Sequence, residues 1–165
     1  MKGSDKEPFT KLFTNNIIMK KFLVSLFALI SVFSAKAFEF DGIDLNAKFL
    51  DVTREVAAKG YVFDAAKGCL TGQCQGQEIF LYFNTEDVKE KGKVGQLTVE
   101  FGMPTDATSS LKNVIMLFNI IYHQTAAANG VTSYLVDKDG TTLDVTSKGN
   151  NVVLTYSTPN YKAKK

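Results

Sequence analysis

Residues that carry chemistry are scarce in this chain. It has one histidine, His123, and two cysteines, Cys69 and Cys74. One histidine cannot build a zinc site with the ligands in view, and His123 reads as a surface or partly buried residue of a helix. The cysteines are spaced C-x4-C, which is not the C-x-x-C of a redox enzyme. No G-x-S-x-G elbow is present to seat a nucleophilic serine. Basic residues form no patch apart from Lys162, Lys164 and Lys165 at the tail, so nucleic-acid binding has no electrostatic footprint. Nothing in the residue pattern asks for a cofactor or a metal.

What is present begins with Met19 to Ala37, MKKFLVSLFALISVFSAKA. Lys20 and Lys21 give a basic start, Phe22 to Ser34 is apolar, and Ala35-Lys36-Ala37 places small residues at −3 and −1 of a cleavage point. This three-part pattern is that of a secretory signal peptide. Its apolar run of about 13 residues is short of the roughly 20 needed to span a bilayer as a helix. Cleavage after Ala37 leaves Phe38, not a cysteine, at the new N-terminus, so lipid attachment is not expected. Met1 to Ile18 reads as a mis-called upstream extension, with a longer basic leader as the alternative. Residues 38–165 are then a single exported α+β domain, periplasmic or extracellular, with no membrane span of its own.

Removing the first 37 of 165 residues leaves 128, enough for one ordinary core. The removed part holds six lysines and two acids. Of 19 basic and 17 acidic residues, 13 and 15 remain, so the net charge turns from +2 to −2. In an oxidising compartment an even cysteine count favours a disulfide. Thr71 and Gly72 between the cysteines suggest a hairpin across which Cys69 and Cys74 face each other; two free buried thiols are the other reading.

Along the mature chain, Phe38 to Ile43 reads as an entry strand. Asp44 or Asn46 can cap a helix in which Leu45, Phe49, Val52 and Val56 share one face, ended by Gly60. Strand-like runs follow at Tyr61–Ala65, Cys69–Gln75 and Glu78–Asn84. The last is nearly all apolar, which predicts cover on both faces. Thr85 to Lys93 is a charged connection. Leu97, Val99 and Phe101 then alternate inward. A second helix is expected over Ser109 to Ala128; its wide apolar arc, including Met116, Leu117 and Ile120, predicts burial on more than one side. Asn129-Gly130 ends it, and strands follow at Thr132–Val136, Thr142–Thr146 and Asn151–Ser157.

An internal pattern links the halves. Ala57-Ala58-Lys59-Gly60 and Ala127-Ala128-Asn129-Gly130 each precede three strand-like runs separated by glycines (Gly68 and Gly76; Gly140 and Gly149). The expected fold is therefore α+β, two tandem αβββ units in one domain with helices packed on one face of the sheet.

Two motifs invite chemical readings. Tyr134-Leu135-Val136-Asp137-Lys138-Asp139-Gly140-Thr141 resembles the nucleophile motif of haloacid dehalogenase-type phosphatases. That chemistry needs a parallel sheet and further groups far downstream, whereas only short hairpin-like strands follow. Asp-Gly between alternating runs predicts a turn instead. Asp137, Asp139 and Asp144 suggest calcium, but the EF-hand spacing is not met. Phe80 and Tyr82 are the candidate binding residues: they form an aromatic patch if the sheet has an open face, and core residues if a helix covers them.

Phe40-Asp41-Gly42-Ile43-Asp44-Leu45 and Leu70-Thr71-Gly72-Gln73-Cys74-Gln75-Gly76 resemble segments of small uncharacterised exported proteins of gut Gram-negative bacteria. That resemblance implies no activity. The doubled helix-plus-strands plan looks like the β-lactamase-inhibitor-protein type of fold, which does not by itself imply inhibition. The function expected from all this is a non-catalytic exported module that binds a protein or envelope component. The alternative is a small extracytoplasmic hydrolase whose site the sequence does not display. Clustered ionisable groups in a cleft would favour the hydrolase; an open sheet with exposed aromatics would favour the module.

Overall fold

The computed structural model describes residues 39–40, 42–74, 77–102 and 107–163. The expected extension and signal peptide lie outside the described residues. Among the described residues no helix is long and apolar enough to cross a membrane.

The described residues open with a small hairpin, β1 (Glu39–Phe40) and β2 (Ile43–Asp44). Gly42, at φ 75°, takes the left-handed position of its turn. Helix α1 (Phe49–Ala58) follows, later than expected: Lys48 is its N-cap and contributes no side-chain bond. Asp44 instead accepts the amide of Asn46 at 2.8 Å in a turn before the helix. Val52 and Val56 are fully buried, and Gly60 (φ 88°) receives the chain at the C′ position, as expected.

Eight strands then build one antiparallel sheet: β3 (Val62–Asp64), β4 (Cys69–Cys74), β5 (Gln77–Asn84), β6 (Gln96–Gly102), β7 (His123–Ala128), β8 (Val131–Leu135), β9 (Thr142–Lys148) and β10 (Asn151–Ser157). Their order is β3-β4-β5-β6-β10-β9-β8-β7. The centre is the β6–β10 pair, in register from Gln96↔Ser157 to Gly102↔Asn151. Helix α2 (Ala107–Ile121) connects β6 to β7.

This overturns the expected tandem αβββ arrangement. The described residues are dominated by a single continuous sheet with two short helices. The second helix stops at Ile121 rather than at Ala128, and the residues beyond it form β7. Asn129 (φ 53°) and Gly130 (φ 76°) both sit in the left-handed region. Two consecutive positive φ angles make a type I′ hairpin turn, not a helix end. The alanine-glycine matches that aligned the two halves thus fall on a helix C-terminus in one case and a β-hairpin in the other.

Cross-strand partners share a face, and one face is the core. Ile79, Phe101 and Val152 form one row, Leu81, Val99, Leu154 and Val145 another, and Phe83, Leu97, Tyr156, Leu143 and Tyr134 a third. Val52 and Val56 of α1 and Val114, Leu117 and Phe118 of α2 pack into the same cluster. Phe49 meets Phe83 edge-on at 5.8 Å, and Phe118 meets Tyr134 edge-on at 5.8 Å. A fully buried side chain such as Phe118 is worth about 1.5–3 kcal/mol of transfer free energy. The Tyr134 hydroxyl donates to Asn119 Oδ1 at 3.0 Å, which seats the helix on β8. The outer flank of α2 is not covered: Met116 and Ile120 are 58% and 77% exposed. The expectation of burial on more than one side fails there.

The expected disulfide is not formed. Cys69 is a free, buried thiol. Both cysteines lie on β4, five residues apart in one extended strand. At about 3.3 Å per residue their Cα atoms are roughly 16 Å apart, far beyond the 7 Å a bridge tolerates. Gly72 is not a turn glycine: a Cβ there would collide with the ring of Tyr61, which lies flat against the strand.

Candidate interaction face

The residues between the core positions point to the opposite face of the sheet. One row runs Val62, Thr71, Phe80, Glu100, Val153 and Thr146 across β3, β4, β5, β6, β10 and β9. The next runs Tyr82, Thr98, Thr155, Asp144 and Ser133. Phe80 and Tyr82 therefore sit, half-buried, on the face turned away from α1 and α2, and among the described residues no helix lies over them. The expectation that β5 is covered on both faces holds only for Ile79 and Leu81, which are buried in the core.

Local structure positions the aromatic pair. Asp64 accepts the amides of Ala66 and Lys67 at 3.0 and 3.1 Å, and Gly68 (φ 65°) closes the β3–β4 turn with its amide on the Asp64 carbonyl at 2.8 Å. The turn holds the Lys67 ammonium 4.4 Å from the centre of the Phe80 ring, where the electron-rich face attracts it. Asp64 pairs with the same ammonium at 3.6 Å. Val62, 67% exposed, lies at the sheet edge in the same row as Phe80, with Thr71 between them.

Tyr82 is tied down differently. Burial, then a hydrogen bond to Cys69 and the charges of Cys69, Glu100 and Asp64, push its phenol up to about 12. It keeps its proton at neutral pH. The buried Cys69 thiol is its neighbour rather than a bridge to Cys74.

Polar groups on this face are paired across strands. Asn151 Nδ2 donates to Glu100 Oε1 at 2.6 Å, and Lys148 approaches the other carboxylate oxygen at 3.8 Å. Ser133 Oγ donates to Asp144 Oδ1 at 2.6 Å, and Gln96 Nε2 donates to Ser157 Oγ at 2.9 Å. Thr98 and Thr155 share a hydroxyl contact at 3.4 Å. A buried carboxylate such as Glu100 is tolerated because it is hydrogen-bonded and ion-paired.

Other residues singled out from sequence fall elsewhere. His123 is exposed and opens β7; it is not on a helix. Asp137 and Asp139 lie in the loop joining β8 and β9, as the turn reading expects. There Gly140 (φ 97°) donates its amide to the Asp137 carbonyl at 3.1 Å and Thr141 donates its amide to Asp139 Oδ1 at 2.8 Å. Every strand pairing around that loop is antiparallel, unlike the parallel sheet a dehalogenase-type site requires. Among the described residues no three His, Cys, Asp or Glu side chains converge as metal ligands. Sequence reasoning missed the supporting residues Lys67, Glu100 and Asn151. Only the Asp-x-x-x-Gly of the β3–β4 turn hinted at the first, because cross-strand partners are set by register. Compared with family models, curated proteins and solved structures, the chain matches none.

Proposed function

We propose that this chain is an exported, non-catalytic binding module that holds a protein or other envelope component against the sheet face bearing Phe80 and Tyr82. The observation that carries this reading is the pair of half-buried aromatic rings on the face opposite α1 and α2, with exposed Val62 two strands further along the same row. Aromatic side chains give large contact area at small entropic cost and dominate binding energy at interfaces. The surrounding polar groups support the same reading. Glu100, Asp144 and Asp64 each already have a side-chain or backbone partner in the fold. They form a satisfied rim rather than an acid–base pair aimed at a reacting atom.

Photo-crosslinking tests this. A photoreactive phenylalanine analogue replaces Thr98, at the centre of the face, or Lys112, exposed on α2, in the producing cell. The expected result is a discrete adduct from position 98 and none from position 112. Adducts from position 112 alone, or from neither, would sink the proposal.

A further inference from the structure

A cation already sits on the Phe80 face, and it belongs to the chain itself. The Lys67 ammonium lies 4.4 Å from the centre of the Phe80 ring and 3.6 Å from Asp64 Oδ2. Across from Phe80 on β6 is the buried carboxylate of Glu100. Ring and carboxylates together make one small area that favours positive charge. Burial and the Cys69 contact raise the Tyr82 phenol most, and the charges of Glu100 and Asp64 raise it further, so their field reaches the second ring too. Lys67 is held there lightly. Its side chain is 48% exposed, and surface pairs of this kind contribute little. The turn does not depend on it, because Asp64 Oδ1 accepts the backbone amides of Ala66 and Lys67. The face as a whole is also short of positive charge. Among the described residues, Asp64, Glu78, Glu100 and Asp144 lie on it by strand register, against Lys148 alone on the strands. With Lys67 added from the turn, four carboxylates face two ammonium groups.

We propose that the partner is a protein segment that presents a basic side chain to this face, displacing the Lys67 ammonium and taking its place between the Phe80 ring and the carboxylates. This partner chemistry rests on the binding reading of the Phe80 face and narrows it. An acidic segment would meet the excess of carboxylates, and a neutral one would leave Lys67 where it is. Arginine suits the place best, because a guanidinium stacks on a ring and pairs with a carboxylate at the same time. In the free protein Lys67 is then a placeholder: it occupies the ring and competes with the incoming cation.

Titrating the protein, as the cell processes it, with a labelled tetra-arginine peptide and with tetra-glutamate tests the placeholder. Only tetra-arginine should bind, and less tightly as salt rises. Lys67→Ala should bind it about two- to fivefold more tightly, because the competing cation is gone. Glu100→Gln keeps the Oε1 acceptor for Asn151 and should bind it more weakly by a similar factor. Glu55→Gln, exposed on α1, should change nothing. Circular dichroism checks that each variant keeps the fold. Binding that is unchanged or weaker in Lys67→Ala, or as weak in Glu55→Gln as in Glu100→Gln, would overturn the proposal. The photo-crosslink at position 98 separates this outcome from the binding reading. An adduct that survives high salt and gains nothing from Lys67→Ala defeats the basic partner and leaves the binding module standing. No adduct at position 98 defeats both.

Discussion

The two faces of the sheet divide folding from display. On one face each row across β5, β6 and β10 is apolar and closed over by α1 and α2. On the other the rows mix Phe80, Tyr82 and Val153 with threonine, serine, asparagine and carboxylate side chains bonded to one another. Adjacent residues of one strand thus do different work: Val99 is fixed in the core, and Thr98 beside it meets solvent and Thr155. A change on the first face should be read in stability, and a change on the second in binding.

The largest effect should come from opening the core. Phe118→Ala removes a fully buried ring that touches both Tyr122 and Tyr134, and should cost about 3–5 kcal/mol in urea unfolding. A loss near zero would mean that α2 does not close the core.

Alkali should act next. Burial raises the phenols of Tyr122, Tyr134 and Tyr156, and burial with the Cys69 contact raises Tyr82. Unfolded tyrosines ionise near pH 10, so above that pH the unfolded chain binds fewer protons than the folded one. Stability is therefore full below about pH 10 and falls as pH rises beyond it, continuing through the folded values. Absorbance of tyrosinate during a pH titration reads this directly: a fraction of the six tyrosines should ionise only as the fold is lost. Six tyrosines titrating together near pH 10 would contradict the burial.

Smaller effects separate the β8–β9 loop from both faces. Gly140 has open space around its Cβ position but a φ of 97°. Gly140→Val should cost about 1–2 kcal/mol of backbone strain. Asp137→Asn keeps the Oδ1 acceptor for the Lys138 amide and should fall within about ±0.5 kcal/mol. Thermal unfolding of both variants should rank them in that order. The reverse ranking would mean that Asp137, not the turn geometry, secures the loop.

The core face was legible because its signal is alternation. Leu97, Val99 and Phe101 point inward as read, and Val52 and Val56 mark the buried side of α1. The aromatic face was ambiguous because Ile79 to Phe83 is apolar throughout, so periodicity cannot say which side is covered. Its neighbours Lys67, in the β3–β4 turn, and Glu100, on β6, come from other parts of the sequence. The sheet's β7 edge was hidden by composition: alanines favour helix locally, and Asn-Gly serves a helix end or a hairpin equally well until β8 pairs back. The supposed disulfide failed for a related reason. Gly72 looked like a turn between Cys69 and Cys74, but the strand runs straight through it beneath the Tyr61 ring.

The division between the faces is tested most directly by measuring urea unfolding and partner retention on the same Phe80→Ala protein, with retention assayed against envelope extract. Phe80 is half-buried under Lys67 and outside the core cluster. The account predicts that the unfolding free energy falls by no more than about 1 kcal/mol while the retained partner is lost. Full retention by Phe80→Ala, or collapse of the fold, would contradict it.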